Sequence, residues 1–119
     1  MDRNPWELSE AVDRLQVFRK AREWEKFHQP KELATALSIE GAELLEQFLW
    51  KGLESAMDVK NDTERMPRIR EEVADIGILL LMFANDLDIN LSEAIHEKIS
   101  SNELRYNVED HRGVAKKAN

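Results

Sequence analysis

The sequence predicts an all-α fold, a bundle of four helices with short connections, two of them long. Three observations carry this. Apolar residues recur at helical spacing through most of the 119 residues. Four Gly and three Pro leave little room for the turns an all-β fold requires. The longest apolar run, Ile76 to Ala84, is apolar right round a helix turning about 100° per residue, the pattern of a helix buried on every side.

The first helix is expected from Asn4 to about Phe27. Asn4 can cap it, Pro5 suits its first position, and Glu7 completes a capping box. Leu8, Ala11, Val12, Leu15 and Phe18 form one apolar stripe, with Trp6, Val17 and Trp24 on the other side. Two apolar faces imply a helix sandwiched by a partner subunit or a ligand. Pro30 disfavours helical geometry at Gln29 and opens the second helix, expected to run to about Met57. Its main arc holds Leu33, Leu37, Gly41, Leu44, Leu45, Phe48 and Leu49. Asp58 to Thr63 reads as an exposed connection. The third helix starts near Glu64 to Pro67 and reaches Asp86. Asn90 and Glu93 mark a capping box for the fourth, which runs to about Tyr106 on a spine of Leu91, Ile95 and Ile99. Residues 1–108 are read as the domain and 109–119 as a disordered tail.

Composition narrows the chemistry. A formal net charge of -7 argues against non-specific binding to a nucleic-acid polymer or an anionic membrane. A polyanionic substrate would need local cations against that field, and a bound metal supplies them. The absence of cysteine excludes disulfides, thiolate metal sites and a Cys nucleophile. No apolar run approaches a membrane span, and the acidic start MDRNPWELSE is not a signal peptide, so a cytoplasmic protein is expected.

Against this background four carboxylates stand out. On the third helix Glu72 is expected to project between Leu79 and Phe83, and Asp75 between Leu79 and Met82, both into the core. On the second, Glu40 lies near Leu33 and Leu44, and Glu43 between Ala36 and Trp50. Residues three apart share a helix face, so facing helices would bring all four acids together. Buried anions are costly unless cations or protons accompany them. A hard divalent cation resolves the conflict, and all-oxygen ligation favours Mg²⁺ or Mn²⁺ over Zn²⁺. Gly41 leaves room for a close approach beside Glu40. Glu46 and Glu71 read as solvent-facing.

E-x-x-E on one helix followed by E-x-x-D on the next resembles the MazG-like all-α nucleoside triphosphate pyrophosphohydrolases. Glu23 to Pro30 (EWEKFHQP), Phe48 to Lys51 (FLWK) and Lys98-x-x-x-Asn102-x-x-Arg105-Tyr106 resemble its dCTP pyrophosphatase branch, over roughly residues 10–108. The resemblance implies a MazG-like bundle, a homodimer or homotetramer, that hydrolyses a (d)NTP to the monophosphate and pyrophosphate. It implies Mg²⁺ held by Glu40, Glu43, Glu72 and Asp75, with the base flanked by Trp24 and Trp50 and the phosphates held by Lys51, Lys98 and Arg105. Asn102 suits a base edge or sugar, Tyr106 supports the pocket, and His28 follows the family pattern. The competing reading is a non-catalytic helical interaction module that keeps the bundle.

Overall fold

In the computed structural model the described residues, 7–114, are all helical or irregular, with no strand among them. The helices are α1 (Leu8–Ala21), α2 (Pro30–Glu46), α3 (Ala56–Lys60), α4 (Met66–Asp86), α5 (Leu91–Arg105) and α6 (Val108–His111), with a single 3-10 turn at Glu25–Phe27. They form two compact units, one ending at Leu87 and one beginning at Asp88.

In the first unit α4 is the central element. It packs most extensively on α2 and, over a smaller area, on α1. Leu33 from α2 and Met82 and Ala84 from α4 are its buried apolar residues. The expectation that α4 is covered on all sides is corrected: Val73, Ile78 and Leu80 stay exposed. Among the described residues of this unit α2 and α1 make the main contacts with α4, and two helices cannot cover the whole circumference of a third.

The first helix is shorter than expected. Its proposed caps, Asn4 and Pro5, and Trp6 lie outside the described residues. At its other end the helix stops at Ala21 instead of continuing to Phe27. Glu23 turns left-handed with φ 53°. Its N–H bonds Lys20 O at 3.1 Å, and the Trp24 N–H bonds Arg19 O at 3.0 Å. That bond pair is a Schellman stop, usually built on glycine. Here the accompanying apolar contact is Trp24 on Phe18, edge to face at 5.4 Å between centroids.

The second helix is likewise interrupted. It ends at Glu46, not near Met57, and passes into tight turns through Gln47 to Lys51. A short helix, α3, then spans the expected end of the second helix and the start of the stretch read as a connection. Ser55 caps it in a full capping box: its hydroxyl accepts from Asp58 N at 3.1 Å, and Asp58 Oδ2 accepts from Ser55 N at 3.2 Å. Ser-x-x-Asp is the usual sequence signature of such a box, but it lay inside a segment read as continuous helix and loop.

An ion pair joins the ends of α1 and α4. Arg19, 1% exposed, donates through Nη1 to Asp86 Oδ2 at 2.9 Å and through Nη2 to Oδ1 at 2.7 Å, with Gln16 also accepting from it. Asp86 raises the Arg19 pKa, first through this hydrogen bond.

Gly41 has open space: no heavy atom stands within 4 Å of where a Cβ would be. Outside α2 itself, no backbone among the described residues uses the gap. Gly41→Ala is therefore expected to stabilise the protein by about 0.5–1 kcal/mol through helix propensity, read from urea unfolding midpoints.

In the second unit Asn90 caps α5 by accepting from Glu93 N at 3.0 Å. The expected spine is only partly covered, with Leu91 half-buried and Ile95 and Ile99 exposed. The start of the segment expected to be a disordered tail instead belongs to α6, which Asn107 caps by accepting from Asp110 N at 2.9 Å. Residues 115–119 lie outside the described residues.

Candidate metal centre

Antiparallel contact between α2 and α4 sets three acids side by side. Glu40 and Glu43 come from α2 and Glu72 from α4, and one carboxylate oxygen of each lies within 4.8 Å of the others. All three side chains are half-buried. Glu40 Oε2 and Glu72 Oε2 are buried oxygens with no hydrogen-bond partner. Two orphaned acceptors inside an acidic cluster are what a divalent cation, with its preference for hard oxygen ligands, would satisfy.

The electrostatics agree. Hydrogen bonding to Glu72 pushes the Glu40 carboxyl above its ordinary range, aided by partial burial and by the charges of Asp75 and Glu72. Glu43 is pushed up chiefly by Glu40, through a hydrogen bond and through charge. Raised carboxyl pKa values mean that the folded chain holds protons more tightly than the unfolded one. The stability they contribute is present below the ordinary value of 4.5 and is lost as pH rises through the folded values. Glu40→Gln cannot ionise. In EDTA it should therefore gain on wild type in melting temperature as pH rises above about 4.5, and saturating divalent metal should erase the gain in a differential scanning fluorimetry series.

Asp75 stands apart from the trio. It is exposed and does not point into a core as expected, although Met82, two turns further along the same side of α4, is buried. Its charge still reaches Glu40. Glu46 and Glu71 are exposed, as expected.

The other sequence-predicted positions distribute as follows. Trp24 is partly exposed, edge-on to Phe18 and, at 6.2 Å, to His28. His28 has a buried Nδ1 without a hydrogen-bond partner. Trp50 is 99% exposed, and Lys51 beside it is exposed too. Lys98 and Arg105 on α5 are exposed, whereas Asn102 and Tyr106 are half-buried. Tyr106 lies edge-on to His111 at 5.2 Å, with the Arg105 guanidinium 5.5 Å from its ring.

Trp50 is unusual in its backbone. Its φ of 65° is left-handed, a conformation that costs a bulky residue about 1–2 kcal/mol. Trp50→Gly is thus expected to leave the fold as stable or to stabilise it by about 1 kcal/mol, measured by urea denaturation.

Sequence reasoning passed over Arg65. It is 6% exposed and sits at the start of α4, gathering Glu54, Asp62 and the Gln47 carbonyl around it. The one local hint was Asp62, three residues earlier, whose Oδ1 accepts from Arg65 N at 3.0 Å.

Two packed helices that converge acids into a half-buried trio define an all-α protein with a carboxylate cluster compatible with a divalent metal. Sequence comparison places it further: the chain belongs to the MazG-like family, whose profile matches residues 35–119. It is 35% identical to dCTP pyrophosphatase 1 of Mus musculus, across 94% of this chain and 66% of that protein. With dCTP pyrophosphatase 1 of Bos taurus it shares 37% identity, across 89% of this chain and 63% of that one. The chain thus spans a little under two thirds of the length of these relatives. The crystal structure of a pyrophosphatase from Archaeoglobus fulgidus superposes with a TM-score of 0.77 at 37% identity, covering 90% of this chain and 98% of that one. Among the described residues no helix is long and apolar enough to cross a membrane.

Proposed function

We propose that the protein is a cytoplasmic, Mg²⁺-dependent nucleoside triphosphate pyrophosphohydrolase, converting dCTP or a related deoxynucleotide to the monophosphate and pyrophosphate. The observation that carries this is the half-buried trio of Glu40, Glu43 and Glu72 with its two unsatisfied oxygens. The names of the similar proteins, dCTP pyrophosphatase 1 and a pyrophosphatase, supply the reaction and the favoured base. Clearing surplus or noncanonical deoxynucleotides from the pool is the role that follows.

In this reading Glu40, Glu43 and Glu72 hold the metal, and Asp75 adds a fourth carboxylate on the same helix as Glu72. Bound Mg²⁺, or Mn²⁺, would offset triphosphate charge and acidify a water. Glu40 or Glu43 would orient the attacking water towards the α-phosphorus and take its proton. Pyrophosphate leaves in line. Positioning and charge stabilisation are most of what phosphoryl transfer requires, so no nucleophilic side chain is needed.

The remaining positions serve the nucleotide. Trp24 and Trp50 stack on the base, and Lys51, Lys98 and Arg105 bind phosphate oxygens. Asn102 reads a base edge or the sugar, and His28 and Tyr106 support the pocket. Assembly as a homodimer or homotetramer would cover apolar side chains such as Val17, Val73 and Ile78 that the single chain leaves exposed.

The test is pyrophosphate release from a dNTP panel with Mg²⁺, run against EDTA and Glu72→Ala controls. Release that is strongest with dCTP and absent in both controls is the expected result. Silence with every nucleotide would leave the non-catalytic helical module standing in its place.

A further inference from the structure

Between α2 and α3 the chain crosses residues 47–55 with no regular structure beyond tight turns, and Trp50 lies at its middle, fully exposed and left-handed. A strained conformation of a bulky residue persists only where the surroundings over-determine it. Trp50 itself, with its side chain in solvent, gains nothing from packing that would offset the strain. The hold must come from the ends of the segment.

Both ends meet on one guanidinium. Arg65 Nη1 donates to the Gln47 carbonyl at 3.0 Å and to Glu54 Oε1 at 3.0 Å, and Nη2 donates to Glu54 Oε2 at 2.6 Å. Nε pairs with Asp62 Oδ2 at 3.1 Å, and the Phe48 ring lies 5.3 Å from the guanidinium carbon. Gln47 is three residues before Trp50 and Glu54 four residues after it. Arg65 stands at the N-terminal end of α4, and Glu72 lies seven residues, about two turns, further along the same helix. One side chain therefore closes the 47–54 loop and ties it to the helix that carries part of the acidic cluster.

We infer that Arg65 is a positioning residue, a clasp that presents Trp50 to the nucleotide. This rests on the reading of Trp50 as a base contact given above. Arg65 touches no reacting group. Its geometry is specific to arginine: the planar fork serves a carboxylate and a carbonyl at once, whereas a lysine ammonium is a single point of charge.

The test uses the full chain carrying Arg65→Ala, Arg65→Lys or Glu54→Ala, the last cutting the clasp while leaving α4 intact should Arg65→Ala fail to fold. Hydrogen exchange and steady-state dCTP hydrolysis are read together. Opening the clasp should speed amide exchange in residues 48–54 roughly tenfold while peptides carrying Glu40 and Glu72 change by less than about threefold. KM for dCTP should rise roughly tenfold with kcat held within about threefold, the mark of lost binding and not of lost chemistry. Arg65→Lys should fail to restore either value. Exchange that accelerates evenly through α2 and α4, or that stays unchanged in the loop, would overturn the inference, as would an equal fall in kcat and kcat/KM. If the wild-type protein hydrolyses no nucleotide, the functional reading fails instead, and exchange in residues 48–54 alone decides the clasp.

Discussion

Glu72→Gln should lower pyrophosphate release from dCTP by about 10²–10³-fold or more, the scale on which removing one charge-stabilising group at such a centre acts. Glu72 is the member of the trio contributed by α4, and its Oε2 is one of the two buried acceptors without a partner. Glutamine keeps the volume and most of the packing while removing the negative charge that binds a cation. Folding should therefore survive, and the change is followed directly as weaker Mn²⁺ binding by electron paramagnetic resonance. Relief of repulsion at Glu40, whose carboxyl Glu72 pushes upward, should raise the stability of the metal-free variant. Wild-type turnover in Glu72→Gln, or Mn²⁺ affinity equal to that of the wild type, would sink the assignment of the trio as the metal centre.

The largest loss of stability is expected at the other end of α4. Asp86→Ala strands the buried Arg19 guanidinium, which keeps only Gln16 as a side-chain acceptor among the bonds described above. Removing one partner of a buried pair typically costs about 3–5 kcal/mol, because the remaining charge is desolvated without compensation. Here a figure near 3 kcal/mol fits, since Asp86 retains 26% side-chain exposure and water can partly replace it. The midpoint of thermal unfolding should fall by about 10 °C. Double replacement of Arg19 and Asp86 by leucine and alanine should recover part of that loss, as no charge is then left buried. A melting temperature within about 2 °C of wild type for Asp86→Ala would show that water replaces the aspartate and that the pair holds nothing together.

The two predictions concern opposite ends of one helix, and they differ in how readily the sequence reveals them. Glu72 was legible because it sits three residues before Asp75 in a run that is otherwise apolar, where an acid has no inexpensive explanation. Arg19 was not. It lies in a helix rich in charge, and its partner is 67 residues away. No local pattern distinguishes it from Arg14 or Lys20. Arg65 escaped for a related reason: its acceptors come from the end of α2, the following loop and the end of α3.

Helix endings followed the same division. Pro30, Asn90 and the turn after Asp86 carry their own local chemistry, and those boundaries appear where the sequence places them. The stops at Ala21 and Glu46 carry none. The first is made by left-handed Glu23, and the tight turns after the second reach left-handed Trp50, both at positions where a glycine would ordinarily be found. Such conformations are stabilised by neighbours distant along the chain or by contacts formed only after the turn exists. Trp24 against Phe18 is one, and the Arg65 clasp is another.

By itself, then, the order of residues determined an all-helical chain, the two helices that carry acids, and the E-x-x-E and E-x-x-D spacing, because periodicity and side-chain burial costs act over a few neighbouring residues. Which acids actually meet was decided by packing. The angle and depth at which α2 lies on α4 bring Glu40, Glu43 and Glu72 within 4.8 Å of one another and leave Asp75 in solvent. Spacing along a helix sets the direction of a side chain only to within part of a turn, whereas the long-range Coulomb and hydration terms that make a metal centre depend on ångström differences between chains of atoms far apart in sequence.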